Sequence, residues 1–392
     1  MKLIYFLLII ILIISSIFVP LFYWEFTNPK ERPEDLFFGV SFGGKTFGEA
    51  KLLIDKVKNY TNFFLVNSWD ITINETALNQ VCNYAAQANL SFIVFFDFIS
   101  LVEHEDAYLF HPEWVTNAKE KWGDNFLGIY IYEEPGGKQI ETGLFDEFYH
   151  GGNRSKMFEN VTTYTEAKEV YVSQIPQSWS FHYLQNENIS KFTSDYALYW
   201  FDYLAGYDTI FTELGFNHSR AKHIGLCRGA AKLQGKEWGS IITWTYNEPP
   251  YLVSGPEIFK DMILAYEANA KYIVLFNFPK YPKSNPFGIL LDEHFMAMED
   301  FWKYIQEHPG DYGKNQGDIA FVLPKDYGWG MRNPEDKIWG LWDADSLSLG
   351  IWEKMNKLLD QYNTQLDIVY NDPGISLEEY SKVVYWNDEN LD

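Results

Sequence analysis

From Leu36 onward the chain repeats one contrast: short apolar runs rich in Phe, Ile, Val and Tyr alternate with longer amphipathic stretches. Short β-branched and aromatic runs read as strands, and apolar positions recurring every three or four residues read as helices, so the pattern is one of βα units. Eight strands are expected, at 36–42, 62–67, 91–98, 126–133, 192–195, 208–213, 238–245 and 271–278. Helical patterns lie between them at 47–57, 75–88, 220–232 and 256–268, with a last one at 291–308. A run such as Phe92-Ile93-Val94-Phe95-Phe96 is apolar on both faces, which suits a parallel sheet covered on both sides. Eight such units over about 270 residues match the size of a closed (β/α)8 barrel. The expected fold is therefore α/β, a TIM barrel over residues 36–312, with the aromatic, weakly periodic segment 154–188 as an insertion after strand four.

A second pattern begins at Gly317: a strand at 318–323, a long loop, a helix at 348–362, a strand at 366–370, a short helix at 377–380 and a strand at 383–386. This predicts a small parallel βαβαβ module over residues 317–392. The loop between Pro324 and Asp345 holds Tyr327, Trp329, Trp339 and Trp342. Those rings either fold over the barrel mouth, where they could stack on a sugar, or join the two units, the second being the stronger expectation.

The N-terminal end differs from all of this. No charged residue occurs from Leu3 to Trp24. At the helical rise that run covers about 33 Å, enough to cross a hydrocarbon core of about 30 Å. It ends in Phe18-Val19-Pro20-Leu21-Phe22-Tyr23-Trp24 rather than in small residues, so residues 1–27 are expected as an uncleaved single-pass anchor and 28–35 as a linker. Flanking charge leans towards an N-terminus inside, with the folded body outside the cytoplasm. Asn-x-Ser/Thr acceptors at Asn59, Asn74, Asn89, Asn153, Asn160, Asn188 and Asn217 point the same way.

A net charge of -23 with no basic stripe argues against nucleic acid as a partner. The two cysteines, Cys82 and Cys227, each sit in an apolar helical pattern, which excludes a disulfide framework and predicts buried thiols. Histidines at metal-binding spacing, a phosphate loop and a Gly-x-Ser-x-Gly elbow are all missing, so no metal or cofactor is expected. The sequence carries no signal for an oligomeric state.

Barrel active sites form at the carboxyl ends of the strands. Strand two ends at Asn67, three at Asp97, four at Glu133 and Glu134, five at Asp195, six at Glu213, seven at Tyr246, Asn247 and Glu248, and eight at Asn277. Carboxylates and amides over an aromatic mouth suit glycoside hydrolysis, which needs an acid for the leaving oxygen and a second carboxylate as nucleophile or base. Neighbouring strand residues point opposite ways, so Glu133 and Glu134 share a cavity only if the chain bends there, and Pro135 makes a turn plausible. Glu213 closes an apolar strand, a costly place for a carboxylate without a task.

The Glu133-Glu134-Pro135 tripeptide resembles the Asn-Glu-Pro that ends strand four in many (β/α)8 glycoside hydrolases of the large retaining clan. The resemblance implies an acid/base role for Glu134 and departs from the clan at Glu133, where an Asn that contacts the sugar is usual. That clan's nucleophile follows strand seven, where Trp244-Thr245-Tyr246-Asn247-Glu248-Pro249-Pro250 offers Glu248, with Glu213 as rival. A barrel followed by a flavodoxin-like module is also similar to the family 42 β-galactosidases. The expectation is a membrane-anchored glycoside hydrolase acting on a polysaccharide or glycan. Asn67, Asp97, Asp195, Trp244, Tyr246, Asn247 and Asn277 are its candidate substrate contacts. The alternative is an inactive glycan-binding or cell-envelope barrel.

Overall fold

The structure, a computed structural model, describes residues 33, 35–96, 112–143, 158–177, 179–279 and 285–389. The proposed anchor, most of the linker, Asp97 and the acceptor Asn153 lie outside the described residues. Among the described residues, no helix is long and apolar enough to cross a membrane.

Eight parallel strands close into a barrel in chain order, β1 pairing with both β2 and β8. They are β1 (Phe37–Phe42), β2 (Phe63–Val66), β3 (Ser91–Phe96), β4 (Phe126–Ile131), β5 (Lys191–Asp195), β6 (Thr209–Leu214), β7 (Glu237–Ile242) and β8 (Tyr272–Leu275). The first half of the barrel carries α1 (Phe47–Val57), α2 (Trp69–Thr72), α3 (Glu75–Gln87), α4 (Pro112–Trp122) and α5 (Pro135–Thr142). The described part of the 154–188 segment, between β4 and β5, carries α6 (Tyr164–Gln174) and α7 (Trp179–Asn186). The second half carries α8 (Tyr199–Leu204), α9 (Arg220–Leu233), α10 (Gly255–Glu267) and α11 (Asp292–Glu307).

The aromatic strands explain the closure. Phe192, Phe211 and Tyr272 meet in the interior with ring centroids 5.4–5.9 Å apart, a layer of large side chains that fills a barrel rather than leaving a pore. At β4, Gly128 (φ +150°) lets the backbone pass close to β5, since a Cβ there would stand 2.3 Å from the Ser190 carbonyl oxygen. Cys82 and Cys227 are buried and unbridged.

The second unit is a three-stranded parallel sheet in the order β10-β9-β11, with β9 (Ile319–Leu323), α12 (Ser348–Tyr362), β10 (Leu366–Tyr370) and β11 (Lys382–Tyr385). The short helix expected at 377–380 is a turn instead. α9 of the barrel packs on β10, so one face of this sheet is already covered without a module helix. Gly225 and Gly229 permit the approach: a Cβ on Gly225 would stand 2.4 Å from the Leu366 carbonyl oxygen. Between them Arg228 pairs with buried Asp367 at 2.7 Å and also donates to the carbonyls of Asn315, Thr364 and Leu366. A buried pair is tolerated when its remaining donors are satisfied in this way.

The 324–345 loop joins the units. Tyr327, Trp329 and Trp339 are buried. The Trp339 ring packs at a tilt against Phe201 and Tyr171, and its carbonyl accepts from Gln139 Nε2 at 2.7 Å. None of the four aromatic residues lines the barrel mouth cavity.

Candidate active site

A cavity of about 510 Å³ opens at the carboxyl ends of the strands. Glu133, Glu134, Ser194 and Glu213 contribute to it from β4, β5 and β6. Trp69, Phe95, Trp244, Phe276 and Phe278 supply aromatic walls, and Asn67 lies on the rim side after β2. Such a mixture of apolar wall and a few converging polar groups is the usual make-up of a small-molecule site.

Both glutamates after β4 reach the same cavity because the chain leaves the strand conformation there. Tyr132 and Glu134 have φ of +55° and +56°, in the left-handed region. Each such residue costs of order 1 kcal/mol, and this kind of backbone cost concentrates at functional sites. Glu134 is the N-cap of α5 without capping it through its side chain. Its carboxylate instead pairs with Lys138, one turn on, at 2.5 Å. Burial works against the Lys138 ammonium, but Glu134, Glu133 and Glu141 outweigh it and its pKa is raised.

Glu213 is 5% exposed. Burial above all, then the charges of Glu134, Glu133 and Asp195, holds its carboxyl well above the ordinary carboxylate range, while a hydrogen bond from Ser194 pulls the other way. Ser194 Oγ donates to Glu213 Oε1 at 2.7 Å and accepts from Tyr130 OH at 2.7 Å. Tyr130 OH also stands 3.4 Å from Glu133 Oε1.

Asp195 looked equivalent to Glu213 in the sequence but is used differently. Fully buried, it accepts from the backbone N–H groups of Gly136, Gly137, Tyr196 and Ala197 at 2.6–3.0 Å. It thereby caps α5, which lacks a cap of its own, and burial pushes its pKa up to about 7 against the pull of those donors. Its neighbour Asp202 accepts from Tyr171 OH at 2.5 Å, and burial raises it well above the ordinary carboxylate range.

The remaining candidates divide. Asn67 and Trp244 line the cavity. Tyr246, Asn247 and Glu248 are exposed on the loop after β7 and are not part of the lining. Asn277 is buried, with Oδ1 accepting from the Ile289 N–H at 3.2 Å. Sequence reasoning passed over Tyr130, Ser194 and Lys138. Alternation counted from Phe192 would have turned Ser194 inward, and Lys138 is the i+4 partner of Glu134.

No family model matches this chain, and no curated protein matches it. Among solved structures it is similar to GH5_18 from Streptomyces cattleya in complex with GlcNAc, at 11% identity over 90% of this chain and 99% of that one, with a TM-score of 0.52. It is similar too to α-L-fucosidase isoenzyme 2 from Paenibacillus thiaminolyticus, at 9% identity over 89% of this chain, with a TM-score of 0.50. The chain spans 59% of the fucosidase's length. At such identities the likeness shows the fold, a (β/α)8 barrel of the kind found among glycoside hydrolases.

Proposed function

We propose that the cavity hydrolyses glycosidic bonds, with Glu213 delivering the proton to the leaving oxygen and the β4 glutamates opposing it. One observation carries this: a carboxyl group buried at the end of an apolar strand, facing an aromatic-walled cavity that also holds two other glutamates. A general acid needs a proton at working pH, and burial beside like charges supplies that condition. The resemblance put the acid on Glu134, but the ion pair with Lys138 suits a carboxylate better than a proton donor. Aromatic rings around the site offer faces for sugar rings.

The test is hydrolysis of a panel of aryl glycosides and glycans, including GlcNAc-containing ones, because a fold neighbour was solved with GlcNAc. Cleavage by the wild type that disappears in Glu213→Gln supports the reading, and undiminished turnover in that variant sinks it. The anchor and the outward placement belong to the same proposal. The described acceptors Asn59, Asn74, Asn89, Asn160, Asn188 and Asn217 are all exposed, as glycan attachment requires. A mass unchanged by glycan removal from the native protein would count against that placement.

A further inference from the structure

Glu133 has no separate task in the reading above, yet it is joined to Glu213 by two hydroxyls. Tyr130 is fully buried and Ser194 nearly so. Tyr130 OH lies 3.4 Å from Glu133 Oε1 and 2.7 Å from Ser194 Oγ, which is 2.7 Å from Glu213 Oε1. A hydroxyl both donates and accepts, so such a line can pass a proton in either direction without any group becoming charged along the way.

We propose that Tyr130 and Ser194 return a proton from Glu133 to Glu213, and that Glu133 is the base of an inverting hydrolysis. The inference rests on Glu213 being the acid. In the forward step the proton of the Glu213 carboxyl passes to the glycosidic oxygen as the bond from that oxygen to the anomeric carbon breaks. A water oxygen bonds to the anomeric carbon from the other face, and its proton goes to Glu133. Glu213 is then ionised and Glu133 neutral, the reverse of the starting state. The reset is a concerted shift: the Glu133 proton moves to the Tyr130 oxygen, the Tyr130 proton to Ser194 Oγ and the Ser194 proton to Glu213 Oε1. One water is consumed, and no other reactant is needed.

The regeneration of the acid separates the two mechanisms. A retaining enzyme regenerates its acid from the water that enters in its second step, whereas an inverting one ends each cycle with the proton on the wrong carboxylate. A hydroxyl line between the two carboxyl groups answers that need.

The anomer first released by the full-length wild type, read by proton NMR on a cleaved glycoside, is expected to be inverted; a retained product overturns the proposal. Tyr130→Phe and Ser194→Ala are expected to slow steady-state turnover about tenfold more than they slow the first turnover, with small buffer acids restoring the difference. An equal loss in both phases would mark the two hydroxyls as mere supports and overturn the return line. If no glycoside is cleaved by the wild type, the hydrolase reading fails by itself. The hydroxyl line is then read without substrate, by carbon-13 titration of the glutamate carboxyls. Tyr130→Phe is expected to move the midpoints of both Glu133 and Glu213, and a shift confined to one or neither overturns it.

Discussion

The ends of β5 and β6 each deliver a buried carboxylate, and the two do opposite work. Asp195 is surrounded by four backbone N–H groups and holds the start of α5. Glu213 accepts from one hydroxyl and otherwise faces the cavity. A carboxylate with its lone pairs taken up by backbone donors is a structural part. One left with a single neutral partner beside two like charges is poised to exchange a proton. The contrast teaches that position at a strand end selects candidates, while the number and kind of hydrogen-bond donors selects the role.

The strongest way to break the comparison is to remove each charge in turn. Glu213→Gln is expected to cut hydrolysis by about 10²–10⁴-fold, the usual worth of a general acid, with a melting temperature equal to or above that of the wild type. Loss of the fold along with the activity would place Glu213 with Asp195. Asp195→Ala should do the reverse. It leaves four buried N–H groups without an acceptor, at about 1–3 kcal/mol for each that water does not reach, so a loss of about 3 kcal/mol or more in urea unfolding is expected. A loss below about 0.5 kcal/mol would mean that α5 does not depend on this cap.

A smaller effect sharpens the comparison through pH. Glu213 has a raised pKa in the folded state, so the native protein binds more protons than the unfolded chain once pH exceeds the ordinary value of 4.5. Its contribution to stability is complete below that value and is lost as pH rises through the folded pKa. Asp195, raised from 3.8 to about 7, acts in the same sense between those limits. His218 and His223 oppose them, because burial lowers their pKa values and stability gains as pH climbs through the ordinary histidine value. The difference between wild type and Glu213→Gln removes these shared terms. Melting curves from pH 5 to 8 are expected to fall less steeply in the variant. A steeper fall would contradict the burial of a protonated Glu213.

Much of the barrel was legible because parallel strands covered on both faces read as unbroken apolar runs. The weak fifth strand was legible in place but not in orientation. Phe192 packs into the barrel interior, so alternation sends Ser194 to the cavity and Asp195 away from it, and an assignment one residue off reverses their roles. The pairing of Glu133 with Glu134 in one cavity depended on left-handed backbone at two non-glycine residues, which residue type does not signal. The missing module helix had no local signature either. The sheet face against α9 is covered by a remote part of the chain, through contacts that only the folded state contains.

The smallest expected effect concerns the third strand end. Glu248 matched a known pattern better than Glu213 did, yet it is exposed and stands outside the cavity lining. A solvated carboxylate there lacks the burial that distinguishes Glu213, so Glu248→Gln should change turnover by less than about twofold and stability by less than about 0.5 kcal/mol. Steady-state rates of the two glutamine variants on one substrate decide the matter. Abolished cleavage in Glu248→Gln alongside preserved cleavage in Glu213→Gln would transfer the chemistry to the β7 loop. That outcome would require the loop to fold inward on substrate and would leave Glu213, like Asp195, a structural carboxylate.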